Sequence, residues 1–115
     1  MSKVKRKLTT ILATDCVGFS KRMDENEELT LENLKACRSI IDPQIKEFGG
    51  RIFYTAGDSV IAEFESPVEC VNAAIGFQKA INDRNNTLPE ESQLDWRVGI
   101  PVSYTHLRAH ETQRY

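Results

Sequence analysis

Leu8-Thr9-Thr10-Ile11-Leu12-Ala13-Thr14-Asp15-Cys16-Val17-Gly18-Phe19-Ser20 is the stretch from which the fold is read. Leu8 to Thr14 is β-branched and apolar, the composition of a central strand. The run feeds straight into an acid, Asp15, and a glycine, an aromatic and a hydroxyl follow within five positions. A carboxylate at the tip of a strand is held rigidly and points out of the core, as a metal-binding acid is usually presented. Residues 15–20 are expected as a loop. Gly18 frees its backbone for a tight turn whose N–H groups could meet a phosphate.

Working outward, residues 21–28 are charged and polar, which leaves a short helical turn and an exposed connection both open. From Leu31 the pattern becomes helical: Leu34, Cys37, Ile41, Ile45 and Phe48 recur on one face. Pro43 interrupts the run and predicts a kink near Asp42. Gly49-Gly50 is a stop. Residues 51–55 and 60–64 read as two strands joined by Ala56-Gly57-Asp58-Ser59, a glycine-containing hairpin turn. Ser66-Pro67 starts a second helix, with a hydroxyl N-cap and a proline in the first turn. Its expected buried side carries Val71, Ala74, Ile75, Gln78 and Ile81. Residues 94–100 alternate and predict a fourth strand.

The order β-α-β-β-α-β is the split βαβ arrangement: an α+β, ferredoxin-like palm with an antiparallel sheet and two helices on one face. The first and third strands are then neighbours. Asp15 and Asp58, 43 residues apart, are expected to meet in space.

The composition is that of one globular domain, and the formal net charge of −2 excludes a bulk attraction to nucleic acid or anionic lipid. Residues 1–6 form a basic N-terminal arm, read as a solvated segment. Cys16, Cys37 and Cys70 are odd in number and widely spaced, which suits reduced core thiols better than a disulfide or zinc set. No apolar run approaches a membrane span, and a reducing cytoplasm is the expected compartment.

Residues 101–115 differ from the rest. They hold both histidines, His106 and His110, at a spacing that would suit a helical metal pair. However, Val102 to Thr112 resembles one reading frame of a transposon-end sequencing adapter over eleven consecutive residues. The expected organisation is therefore a basic arm (1–6), a partial catalytic domain (7–100) truncated after the fourth strand, and a non-native tail (101–115).

Two carboxylates at one edge of a palm make a hard-oxygen site. Magnesium and manganese suit it and keep positions for water and substrate phosphates. A pair of such ions lowers the pKa of an attacking hydroxyl and neutralises a leaving pyrophosphate. The plainer reading makes Asp15 a cap and Asp58 an ordinary turn residue.

Ala13 to Ser20 resembles the first metal motif of the class III nucleotide cyclases. Gly49-Gly50-Arg51 followed by Thr55 to Phe64 resembles their second, and Trp96-Arg97-Val98-Gly99-Ile100 the strand that follows. The similarity spans about residues 7–100. It implies conversion of ATP, less readily GTP, to a 3′,5′-cyclic nucleotide and pyrophosphate. Asp15, Asp58 and the backbone carbonyl of Cys16 would hold two Mg²⁺ or Mn²⁺ ions. Val17, Gly18, Phe19 and Ser20 would bind the terminal phosphates. A homodimer is implied, because the family's site lies between two catalytic domains. Tyr54 stands where base-reading members carry a lysine or a glutamate; a phenol stacks or makes one hydrogen bond but supplies no charge. The family's transition-state asparagine and arginine lie on a helix beyond Ile100, so the resemblance implies little turnover by these 115 residues alone.

Three other readings share the topology. A non-catalytic ferredoxin-like module would bind a regulator or partner. An RNA-binding domain would need sheet-face aromatics in a Lys/Arg-Gly-aromatic pattern, and Arg51-Ile52-Phe53-Tyr54 lacks the glycine. A diguanylate cyclase would carry a Gly-Gly-(Asp/Glu)-Glu-Phe hairpin, and Ala56-Gly57-Asp58-Ser59 stands in its place.

Overall fold

A computed structural model describes residues 6–106. Met1 to Lys5 of the basic arm and residues 107–115, including His110, lie outside the described residues. The elements in order are β1 (Arg6–Cys16), α1 (Phe19–Glu25), α2 (Glu27–Glu47), β2 (Arg51–Ala56), β3 (Ser59–Phe64), α3 (Pro67–Asn85), a 3₁₀ turn (Glu90–Ser92), β4 (Trp96–Gly99) and β5 (Val102–His106). The strands stand side by side as β2-β3-β1-β4, all pairs antiparallel. This is the expected palm, with β1 and β3 as neighbours.

β1 runs two residues further than its apolar composition suggests, through Asp15 and Cys16. Pairing carries it on, because Asp15 and Cys16 oppose Arg97 and Trp96 of β4. Beyond Ile100 the pairing continues. β5 opposes Arg6 to Thr10 on β1 in the register already set by β4. Between them the Ile11 N–H donates to the Pro101 carbonyl at 3.4 Å. Pro101 has no N–H to give, so the ladder breaks there into two segments of one strand position. Such pairing uses backbone groups, which any sequence supplies.

The sheet's two faces differ. Leu12, Thr14 and Cys16 of β1 and Val60, Ala62 and Phe64 of β3 are buried under the helices. Ile11, Ala13, Asp15, Ile61 and Glu63 alternate with them on the other face and are only partly covered. α2 supplies Cys37, Ile41 and Ile45 to the core, with Leu34 and Phe48 partly buried beside them. It begins at Glu27, earlier than the periodicity suggests, because the Asn26 side chain accepts from the Leu29 N–H at 3.1 Å and caps it. The helix runs through Pro43 without interruption.

Gly49 and Gly50 end α2 as expected. Gly49 has φ 83°, and the Gly50 N–H donates to the Ile45 carbonyl at 2.8 Å. Gly50 is also a packing requirement. A Cβ there would press into the Phe64 ring and approach Ile45 Cγ2 to 2.8 Å.

α3 starts where Ser66-Pro67 places it, with the Ser66 hydroxyl accepting from the Glu69 N–H at 3.2 Å. Its buried side corrects the sequence reading. Cys70, Ala73, Ala74, Phe77 and Ile81 face the core, whereas Val71 and Ile75 are 43% and 61% exposed. Both sides of α3 are apolar enough to be buried. The buried side combines the small Cys70, Ala73 and Ala74 with the larger Phe77 and Ile81, a mixture that fills a core without gaps.

β2 is an edge strand with a bulge. Ile52 opposes Ala62 and Tyr54 opposes Ile61, so Phe53 is the extra residue. Ile52 therefore packs on the core while Tyr54, two residues on, lies on the open face. Cys16, Cys37 and Cys70 are free and buried, as expected. No helix among the described residues is long and apolar enough to cross a membrane.

Candidate active site

The site grows from the C-terminal end of β1. Asp15 projects on the open face, directly opposite Arg97. Arg97 Nε donates to Asp15 Oδ1 at 2.9 Å. The Asp15 hydrogen bond, and then its charge, hold the guanidinium pKa above its ordinary value, with a smaller contribution from the charge of Asp58. Behind the pair, the Thr14 hydroxyl donates to the Arg97 carbonyl at 2.7 Å and fixes the two backbones.

The β2–β3 hairpin brings in the second acid. Gly57 and Asp58 form a two-residue loop between the paired Ala56 and Ser59, with Gly57 at φ 59°. Asp58 Oδ2 accepts from the Cys16 N–H at 2.8 Å. The hairpin tip is thus docked on the residue next to Asp15, so the topology juxtaposes the two aspartates at one end of the sheet. The Cys16 thiol points into the core, where burial first and the Asp58 charge second push it up to about 12.

After Cys16 the chain turns. The Val17 N–H is committed to the Asp95 carbonyl at 2.8 Å. Gly18 has φ 67°, a conformation costly for other residues, and it starts α1 without a side-chain cap. Phe19 and Ser20, expected in a loop, form the first turn of this helix. The Arg22 N–H is the first to bond back, to the Gly18 carbonyl at 3.1 Å. The N–H groups of Gly18, Phe19 and Ser20 have no acceptor among the described residues. Tyr54 is 52% exposed on the same face as Asp15, across β3 from β1.

Between β3, β1 and β4 the open face carries a hollow of about 390 Å³ lined by Ala13, Asp15, Ile61, Arg97 and Gly99, among others. A larger one, about 540 Å³, lies at the other end of the sheet against Glu47, Glu63, Glu65 and Glu69. The smaller one has the chemistry, because it is the one that reaches the Asp15–Arg97 pair. Sequence reasoning gave Arg97 no role. The signal was present in the topology, which makes β4 the antiparallel neighbour of β1 and starts it where β1 ends.

The donor set fits a divalent hard cation. Asp15 Oδ2 and Asp58 Oδ1 accept no hydrogen bond among the described residues. No group of three or more His, Cys, Asp or Glu side chains there makes a self-sufficient cage. Two carboxylates with further positions left over match an ion that keeps water and substrate oxygens, as magnesium does.

A split βαβ palm with acids converging at the end of its first strand defines the class: a domain of nucleotide-cyclase architecture. A Rhizobium meliloti (strain 1021) protein named "Putative adenylate cyclase 3" is 37% identical over 98 residues, which cover 84% of this chain and 17% of that protein. The serine/threonine-protein kinase pkn2 of Myxococcus xanthus is 31% identical over 98 residues, 12% of its length. An adenylate/guanylate cyclase/hydrolase structure from Silicibacter pomeroyi superimposes with a TM-score of 0.80 at 33% identity, covering 91% of this chain and 62% of that one. The adenylyl cyclase CyaB from P. aeruginosa shares the fold, with a TM-score of 0.74 at 23% identity. No protein-family model matches the chain. The chain belongs to the class III adenylate/guanylate cyclase family. It spans less than a fifth of the curated relatives it matches and less than two thirds of the S. pomeroyi structure.

Proposed function

We propose that residues 7–100 are the metal- and phosphate-binding part of a cyclase catalytic domain. That domain converts ATP, and less readily GTP, to a 3′,5′-cyclic nucleotide and pyrophosphate in intracellular signalling. One observation carries this reading: the Asp58 carboxylate is docked on the Cys16 N–H at 2.8 Å, one residue from Asp15.

Asp15, Asp58 and the Cys16 carbonyl hold two Mg²⁺ or Mn²⁺ ions. Bound there, the ions supply charge neutralisation and a more acidic ribose 3′-hydroxyl. Gly18, Phe19 and Ser20 offer their N–H groups to the terminal phosphates, and Val17 shapes the turn. Tyr54 meets the base from the open face. The open face is also where a second copy completes the site in a homodimer. Three buried free thiols support a reducing, cytoplasmic setting.

Residues 101–115 contain no asparagine. These 115 residues therefore bind metal and nucleotide with little turnover. The test is titration with Mn²⁺, followed by electron paramagnetic resonance of the free ion, with and without a non-cyclisable ATP analogue. Asp15→Asn and Asp58→Asn are expected to weaken Mn²⁺ binding by about tenfold or more. Binding indifferent to both substitutions overturns the reading, and robust cyclic-nucleotide production by the purified chain overturns the turnover statement.

A non-catalytic partner-binding module is the second reading. It is favoured by Val68, Val71 and Ile75, exposed along one side of α3. The same titration separates the two, because a bland module shows no binding that depends on Asp15.

A further inference from the structure

We propose that Arg97 is a positioning residue that holds Asp15 in the metal-free protein and competes with the divalent cation for that carboxylate. The inference rests on the metal-site reading above and adds a control on it.

The two acids are held in different ways. Asp58 Oδ2 accepts from a backbone N–H at the end of β1, which pins the carboxylate without neutralising it. Asp15 Oδ1 is held by a guanidinium, a full positive charge on a side chain that is 69% exposed. The pairing is built in at the backbone level. Asp15 and Arg97 are directly opposed in the β1–β4 register, and the Thr14 hydroxyl bonds to the Arg97 carbonyl at 2.7 Å. Directly opposed side chains in an antiparallel pair are neighbours by geometry.

A cation approaching both carboxylates therefore meets one held by a backbone N–H and one directly paired with a guanidinium. The guanidinium must swing away or share its oxygen, and until it does it repels the arriving charge. Arg97 is exposed, and among the described residues its side-chain hydrogen bond is the one to Asp15. The competition is consequently modest and weakens with salt. Arg97 thereby orients the Asp15 carboxylate in the metal-free state and lowers the site's affinity for free cations.

Two measurements on the 115-residue chain test this. In the first, Mn²⁺ affinity is measured at low ionic strength for wild type, Arg97→Gln, Asp15→Asn and the double variant. Arg97→Gln is expected to bind about three- to fivefold more tightly, and Asp15→Asn is expected to erase that gain. In the second, the wild-type chain is titrated with Mg²⁺ and the Arg97 side-chain N–H resonance is followed. It is expected to move in step with Mg²⁺ saturation, and to stay still in Asp15→Asn. Asp15-dependent binding that Arg97→Gln leaves unchanged or weakens, or an Arg97 resonance that ignores Mg²⁺, overturns this inference alone. Binding independent of Asp15 in every variant overturns the inference and the metal-site reading together. The Mg²⁺ titration needs no Arg97 substitution, so it decides the question even where Arg97→Gln folds poorly.

Discussion

The two faces of the β2-β3-β1-β4 sheet have the same strands and opposite tasks. The covered face places Leu12, Val60, Ala62 and Phe64 under α2 and α3, each at most 1% exposed. The open face places Asp15, Ile61, Tyr54 and Arg97 where solvent reaches them. Alternation makes the division possible, since every second residue of a strand changes sides. Stability is concentrated on the first face and chemistry on the second. Substitutions on the two faces should therefore separate cleanly.

The largest effect is expected on the covered face. Phe64→Ala removes a fully buried ring and should cost about 3–5 kcal/mol in urea denaturation. Gly50→Ala should also destabilise, by about 1–3 kcal/mol, because its Cβ has no room beside Phe64 and Ile45. The double variant should be more stable than the sum of the two losses predicts, since removal of the ring vacates the space the new methyl needs. Simple additivity would show that the two sites do not share this contact.

A smaller effect comes from Cys70 on α3. Burial pushes its thiol up from the ordinary 9.0 to about 11. Below about pH 9 both folded and unfolded chains keep the proton, and the contribution to stability is full. Between pH 9 and 11 the unfolded chain loses it first and so binds fewer protons, and stability falls as pH rises. Urea midpoints at pH 8 and pH 10.5 measure the fall. Cys70→Ala should make it shallower, and an unchanged slope would remove Cys70 from the account.

The smallest effect is expected on the open face. Ile61→Thr keeps a β-branched side chain on a partly covered position of β3, and should change stability by less than about 1 kcal/mol. A loss as large as that of Phe64→Ala would mean that the open face is as tightly packed as the other and would break the comparison.

Much of this was legible in the chain. Strands β1 to β4, the Gly49-Gly50 stop, the Ser66-Pro67 start and the β1–β3 neighbourhood followed from period, capping chemistry and topology, whereas β5 forms in residues expected as a tail. The approach of Asp58 to the end of β1 followed from these. Other features did not. Val71 and Ile75 looked like core because they are apolar at helical spacing, yet the side with Cys70, Ala73 and Phe77 packs inward. Tyr54 shares parity with the core-facing Ile52, and only the bulge at Phe53 puts it on the open face. Arg97 is one exposed cation among many until the β1–β4 register sets it against Asp15.

The sequence by itself determined strands β1 to β4, the two long helices, their order and the acid at the end of the first strand. Those depend on local preferences that a few neighbouring residues express. Only the tertiary structure decided which side of α3 is buried, which face Tyr54 occupies and what Asp15 touches. Those depend on register and close approach, which are settled jointly by residues as far apart as Asp15 and Arg97.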